Sequence, residues 1–133
     1  MKYEYWEDIA DYDLETAQSM LSTGRYLYVV FMCQQAVEKL VKGLFVLNSE
    51  KEPPRVHNIY NIFKKINWNE KPEDFEEKVQ KYKPLMVRLV SYYIAERYPS
   101  YKEKLSSMLN EKEAEDILIS TREMYSWLKS LKV

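Results

Sequence analysis

Apolar side chains recur at the helical period through most of the chain, and four long segments follow that pattern. The first segment ends at Ser22, Thr23 and Gly24, which are typical of a helix end. The second runs from Arg25 to Leu47 and is apolar over so much of its circumference that we expect it to be the central helix. The apolar positions of the first segment are Trp6, Ile9, Ala10, Leu14, Ala17, Met20 and Leu21.

Shorter elements are predicted between the second and third long segments. The charged stretch Asn48 to Pro54 ends in two prolines and is predicted to be a loop. A short helix follows, with Ile59, Ile62, Phe63 and Ile66 on one face. The fourth helix then runs from Phe75 to Ala95, and we expect Pro84 to kink or break it, because an interior proline removes a backbone hydrogen bond.

The C-terminal third is predicted to contain a turn and a long amphipathic helix. The turn is Tyr98 to Ser100, the stretch from Tyr101 to Leu109 fits no single assignment, and the last helix runs from about Glu111 to Leu131. These elements predict an all-α protein, an antiparallel bundle of four long helices plus one short helix, in a single domain over residues 1–133. The inward positions of the last helix are Ala114, Ile117, Leu118, Thr121, Met124, Tyr125 and Leu128.

Composition agrees with this fold and excludes several kinds of function. The chain has 133 residues, of which 46% are hydrophobic, and only 2 are glycine. A formal net charge of −1 and the absence of a large basic face argue against binding of duplex DNA. No uncharged run is long enough to span a membrane, and the acidic N-terminus does not resemble a signal peptide, so we expect a cytoplasmic protein.

Catalytic and metal-binding motifs are scarce in this sequence. A single cysteine, Cys33, and a single histidine, His57, exclude a Cys-based or multi-histidine metal site, and the two distant glycines exclude a Gly-rich phosphate loop. We expect Cys33 to be a packed thiol and no cofactor to be needed. His57 follows the Pro-Pro loop at a helix start, where we expect an N-terminal or capping role rather than a catalytic base.

Polar side chains interrupt the second helix at a spacing of one turn. Gln34, Glu38 and Lys42 lie four residues apart, with apolar residues on both sides. Glu38 and Lys42 are in the favourable order for an intrahelical ion pair. If the row is partly buried, these charges need further partners, for which Asp13 and Arg97 are candidates. Such a row is either a structural lock or the wall of a binding groove.

An arginine among tyrosines marks the end of the fourth helix. In the run SYYIAERYPSY, Arg97 is surrounded by Tyr92, Tyr93, Tyr98 and Tyr101. A guanidinium can bind phosphate through paired donors, and nearby aromatic rings can stack on a base. Equally, an arginine at a helix C-terminus can satisfy the last carbonyl groups, and tyrosines can fill the end of a bundle.

Taken in order, several segments resemble the HEPN domain family. They are DIADYDLETAQSML, Gly24-Arg25-Tyr26, QQAVEKLVKGLF, PPRVHNIYNIF and YYIAERYP, and together they cover nearly the whole chain. The resemblance implies a bundle of four long helices and a short one that forms a homodimer. It also implies a minimal nucleotidyltransferase as the partner in a toxin–antitoxin pair.

The resemblance also implies a chemistry that this chain does not fully match. Many HEPN proteins resemble metal-independent ribonucleases that use an arginine, four to six intervening residues, and a histidine. Arg97 is in the place of that arginine, but Lys102 and Glu103 occupy the positions where the histidine would fall. In some pairs of this family the transferase modifies a tyrosine just after the arginine motif, which makes Tyr98 and Tyr101 candidates.

The sequence therefore supports two alternative functions. The first is a non-catalytic HEPN-like module that binds nucleotide or RNA phosphate at Glu38, Lys42, Arg97 and Lys102, acts as partner of the nucleotidyltransferase, or does both. The alternative is a ribonuclease toxin with a degenerate Arg-His motif, in which Arg97 would be the catalytic residue. The first rests on two expectations: that Glu38, Lys42 and Arg97 converge, and that no group nearby can transfer a proton.

Overall fold

The computed structural model describes residues 1–132 and shows an all-α protein, as predicted. The four long helices lie where the hydrophobic pattern places them, and two shorter helices connect them. Within the described residues there is no strand. The helices are α1 (Tyr3–Ser22), α2 (Tyr26–Ser49), α3 (Ile59–Lys64), α4 (Phe75–Arg97), α5 (Pro99–Met108) and α6 (Glu111–Ser130).

Helix α2 is the central element, as its wide apolar face predicts. It packs against each of the other five helices. Val29, Val30, Val37, Leu40 and Leu44 are completely buried along it. Burial of so much apolar surface on every side of one helix is the main force that holds the bundle together.

A tight turn folds α1 back along α2. Gly24 has a φ of +76°, a conformation that favours glycine, and the Arg25 amide donates to the Met20 carbonyl at 2.8 Å. The two helices approach closely enough that a Cβ atom built on Gly43 would lie 2.8 Å from the Trp6 Cβ. Of the apolar positions of the first segment, Ile9 is exposed on the surface of α1.

Helix α4 continues through Pro84 without a break. Proline costs a helix the hydrogen bond to the carbonyl one turn earlier, which here belongs to Gln80. Both Pro84 and Gln80 are exposed, so water can bond to the freed carbonyl. Exposure explains why the helix does not break here, and the alternative of a kink at Pro84 stays a prediction.

The end of the chain follows the predicted pattern closely. Asn110 caps α6 by accepting a hydrogen bond from the Glu113 amide at 2.9 Å, and all seven positions predicted to face inward are buried. The stretch left unassigned forms α5, which begins at Pro99 in the favourable first position of a helix. None of the ten residues of α5 is buried, so this helix lies on the surface of the bundle.

Candidate functional site

The polar row on α2 is buried and closely bonded. Glu38 is 4% exposed and Gln34 is not exposed at all. The Gln34 amide donates to Oε1 of Glu38 at 2.8 Å, and the Lys42 ammonium donates to Oε2 at 3.1 Å. The predicted Glu38–Lys42 pair is therefore confirmed. Because it is buried, its two charges depend on these bonds.

His57 is the third partner of the Glu38 carboxylate. Its Nδ1 lies 3.1 Å from Oε2 and 3.2 Å from Oε1. A carboxylate only accepts hydrogen bonds, so Nδ1 is the donor, and within the described residues Nε2 has no hydrogen-bond partner. The His57 side chain is 48% exposed, whereas that of Glu38 is 5% exposed. A buried acid thus orients an imidazole that faces solvent.

Aromatic stacking connects this imidazole to Arg97. The rings of His57 and Tyr93 are stacked, with centroids 4.2 Å apart and planes 21° apart. The Tyr93 hydroxyl accepts a hydrogen bond from Nη1 of Arg97 at 2.7 Å, and the guanidinium carbon lies 5.3 Å from the centre of the Tyr93 ring. Glu38, His57, Tyr93 and Arg97 form one contiguous group, which we call the imidazole cluster.

The cluster changes two interpretations drawn from the sequence. Within residues 1–132, Arg97 makes no hydrogen bond or ion pair with Glu38 or Lys42, and it approaches them only through Tyr93 and His57. Asp13 was also expected to pair with this row. That expectation was wrong, because Asp13 accepts a hydrogen bond from Lys39 instead.

His57 is the functional candidate that the sequence pattern missed. The capping role belongs to its neighbour Asn58, whose side chain accepts a hydrogen bond from the Asn61 amide at 3.1 Å. The expectation that no proton-transferring group lies near Arg97 was therefore wrong. The family motif places a histidine shortly after the arginine, whereas His57 comes 40 positions before Arg97 in the sequence and approaches it through the fold.

Lys102 lies apart from the imidazole cluster. Its ammonium donates to the Tyr28 hydroxyl at 3.1 Å and lies 3.8 Å from a carboxylate oxygen of Glu96. The hydrogen bond to Tyr28 is the main cause that raises the pKa of Lys102 above its ordinary value. Tyr28 precedes Glu38 by ten residues, about 15 Å along the helix.

The two candidate tyrosines lie on the surface just beyond Arg97. Tyr98 is 57% and Tyr101 is 58% exposed. Their rings pack edge to face with centroids 6.2 Å apart, an arrangement favoured by the charge distribution of aromatic rings. Both tyrosines are thus on an accessible surface, one and four positions after Arg97 in the sequence.

The described residues offer neither a metal-binding cluster nor a membrane-spanning helix. Among them, no group of three or more His, Cys, Asp or Glu side chains could hold a metal ion. Over the same part of the chain, no helix combines the length and apolar character needed to cross a bilayer. Cys33 is buried, as expected, and its burial raises the pKa of the thiol to about 12.

The protein is thus an all-helical bundle that carries a compact polar site, in which an oriented imidazole and an arginine contact the same tyrosine. The model of the HEPN domain family matches residues 3–131. The chain belongs to the HEPN family. This membership confirms the resemblance noted in the sequence.

Two individual proteins are similar to this chain. A protein of Methanocaldococcus jannaschii named "Putative toxin MJ1304" is 34% identical over 109 residues, which are 80% of this chain and 70% of that protein. The crystal structure of TT1696 from Thermus thermophilus superimposes with a TM-score of 0.71 and covers 97% of each chain. Its sequence identity of 24% makes it a comparison of fold alone.

Proposed function

We propose that this protein is a toxin-type HEPN module that binds the phosphate of RNA or of a nucleotide at the imidazole cluster. The observation that carries the proposal is the stack of His57 on Tyr93, whose hydroxyl is held by Arg97. One imidazole and one guanidinium are thereby presented on the same surface. Sequence similarity to a protein named as a toxin supports the proposal that this protein is of the toxin type.

The electrostatics of the cluster favour an anionic ligand. Glu38 and Lys42 neutralise each other beneath the surface, which leaves the positive charge of the exposed Arg97 uncompensated within the cluster. A guanidinium offers paired donors that match phosphate oxygens. In this proposal Arg97 and His57 contact the phosphate, and Glu38 and Lys42 hold His57 in place. Lys102, which the sequence offered as a fourth binding residue, has no contact with that phosphate in this proposal, because it pairs with Tyr28 and Glu96 apart from the cluster.

Calorimetric titration with ATP and with a short RNA tests the binding proposal. Arg97→Ala should weaken binding by roughly tenfold or more, because a charged hydrogen bond contributes about 1.5–3 kcal/mol. The matched control is Arg122→Ala, an exposed arginine on α6 that contacts Gln18. Binding that is absent in the wild type, or that is equally strong in both variants, would contradict the proposal.

A second candidate function, metal-independent RNA cleavage, is favoured by the free Nε2 of His57. In such a reaction the 2′-oxygen attacks the adjacent phosphorus while the bond from phosphorus to the 5′-oxygen breaks. Nε2 would take the proton of the 2′-hydroxyl, and water would supply a proton to the leaving 5′-oxygen. Glu38 would stabilise the protonated ring through Nδ1, and Arg97 would stabilise the charge on the phosphate.

Incubation of a labelled RNA in the presence of EDTA separates cleavage from binding. Cleavage should yield 2′,3′-cyclic phosphate ends and should fall by roughly a hundredfold or more in His57→Ala. Asn58→Ala is a control for disturbance of the same loop, because it removes the cap of α3 and leaves the imidazole. If the RNA stays intact at high protein concentration, the cleavage function is refuted and only the binding function remains.

The assembly proposed for this protein is a cytoplasmic homodimer with a minimal nucleotidyltransferase as partner in a toxin–antitoxin pair. Tyr98 and Tyr101 are the proposed sites of modification by that transferase, because both are exposed beside Arg97. Light scattering measures the mass of the protein alone, and co-purification tests the complex. Mass spectrometry after incubation with the transferase and ATP should locate an added nucleotide on one of the two tyrosines, and Tyr12, which is 71% exposed on α1, is the internal control.

A further inference from the structure

The outward face of α1 carries three large apolar side chains in one row. Tyr5, Ile9 and Tyr12 are 58%, 40% and 71% exposed, and they follow one another at intervals of four and three residues. Side chains at these intervals lie above one another on a helix, which is the pattern of a coiled-coil seam. A row of this kind on an outer surface indicates a face that a further helix can cover.

A row of carboxylates runs along the same outward face. Glu4, Asp8 and Glu15 are exposed, and their spacing places them one above another beside the apolar row. Within residues 1–132, none of the three forms a salt bridge. Helix α1 itself contains no lysine or arginine, so its outward face combines an apolar row with a negative one.

The other acids of α1 are already bonded within the bundle. Asp11 accepts a hydrogen bond from the Lys129 ammonium at 3.1 Å, and Asp13 accepts one from Lys39. Glu7 accepts one from a tyrosine hydroxyl of the same helix. The fold therefore satisfies these three carboxylates and, in the part of the chain that the structure describes, leaves the outward row unpaired.

We infer that this face of α1 binds an amphipathic helix of a partner protein, one whose apolar seam is flanked by lysine and arginine. Ile9 and Tyr12 correspond to heptad positions a and d. Asp8 and Glu15 then fall at g, the position from which charges pair with a partner helix. The face from Tyr5 to Glu15 is about 15 Å long, or nearly three turns. The inference adds an interaction surface to the proposed function and does not depend on phosphate binding. We call it the α1 docking face, and its residues are Glu4, Tyr5, Asp8, Ile9, Tyr12 and Glu15.

The charge of the α1 docking face selects its occupant. A nucleic acid or an anionic bilayer would be repelled by the acidic row. A second copy bound through the same face is also disfavoured, since an antiparallel pair of α1 helices brings the two acidic rows together. A parallel pair brings each acidic row against the e positions, Trp6 and Asp13, which carry no positive charge. A cationic helix on another protein is the occupant that matches both rows.

A cleft at the N-terminal end of α1 extends the apolar row. Its volume is about 570 Å³, and Tyr5 forms part of its wall together with Val46 and Leu47 of α2. A large apolar side chain at one end of the partner helix can be buried there, as the anchoring residues of interfaces commonly are. The charged side chains of the wall, three acids and two lysines, are Lys2, Glu4, Glu50, Lys51 and Glu52.

Fluorescence anisotropy with two labelled helical peptides tests the inference. Both are stapled peptides with leucine at a and d, and one has lysine at e and g where the other has glutamate. At low ionic strength the wild type should bind the lysine peptide at least about tenfold more tightly than the glutamate peptide. The double variant Asp8→Lys, Glu15→Lys should reverse that preference. The double variant Ile9→Ser, Tyr12→Ser should bind the lysine peptide at least about tenfold more weakly, because the buried apolar contact is lost.

Matched substitutions on α6 are the controls. Glu115→Lys and Ile119→Ser change an exposed acid and an exposed apolar residue outside the α1 docking face, and both variants should bind the peptides like the wild type. Equal affinity of the wild type for the two peptides, or a charge reversal that leaves the preference unchanged, would overturn the inference. A changed mass of the Ile9→Ser, Tyr12→Ser variant alone in light scattering would assign the face to a second copy of the chain, which also overturns it. Failure of ATP and RNA to bind overturns the proposed function and leaves the α1 docking face unaffected.

Discussion

The buried carboxylate of Glu38 should be the most sensitive polar group in the protein. It is 4% exposed and accepts hydrogen bonds from Gln34, Lys42 and His57. Glu38→Gln keeps the shape but replaces one acceptor oxygen with an NH₂ group that must face a donor. At least one charge-assisted bond is lost, and Lys42 is left with an uncompensated buried charge.

The expected loss of unfolding free energy is about 3 kcal/mol, the lower end of the range for breaking a buried ion pair. Urea unfolding followed by far-ultraviolet circular dichroism measures this loss. Glu123→Gln removes a carboxylate from an ion pair with Lys81 whose side chains are both more than half exposed, and it should leave the unfolding midpoint unchanged.

A coupled variant tests whether the lost bond to Lys42 is the cause. Lys42→Met in the Glu38→Gln background removes the uncompensated ammonium and should restore part of the lost stability, because a whole buried pair can be replaced at little cost. Two results would refute this reasoning. One is a loss in Glu38→Gln as small as that in Glu123→Gln, and the other is strictly additive effects in the double variant.

Two further substitutions and one labelling experiment test other features of the bundle. Gly43→Ala should destabilise the protein by about 1–3 kcal/mol in urea unfolding, although alanine favours helix, because its Cβ would overlap Trp6; equal or greater stability would contradict the close approach of α1 and α2. Asn110→Ala should cost about 1 kcal/mol through loss of the α6 cap, and a neutral result would exclude that role. Burial raises the pKa of Cys33 to about 12, so at a pH of about 8 the native thiol should react with a disulfide reagent only when the protein unfolds. Rapid labelling of native protein would contradict this, and the urea-unfolded chain is the positive control.

Much of the fold could be predicted from the period of the apolar residues. On α6 the predicted inward positions are buried, and α1 ends at Ser22 as the following Thr-Gly indicates. The alternative of a break at Pro84 was wrong, and the pattern gave no assignment for α5. In the first case solvent replaces the lost hydrogen bond, and in the second a surface helix has too few buried residues to show a clear period.

The candidate site was only partly predictable. The four-residue spacing of Gln34, Glu38 and Lys42 correctly indicated side chains that meet on one helix face. Neither the contact of Asp13 with Lys39 nor the position of His57 against Tyr93 could be read from spacing. Each joins residues from different elements and depends on how those elements pack.

The sequence by itself determined the all-helical class, the central place of α2 and the polar row along it, because these depend on the period of side chains within single helices. Only the tertiary structure decided that the imidazole of His57 stacks on Tyr93, the residue whose hydroxyl Arg97 binds. That meeting requires the loop before α3 to pack between α2 and the last turns of α4. Contacts across the bundle are set by the packing of whole helices, which local periodicity does not encode.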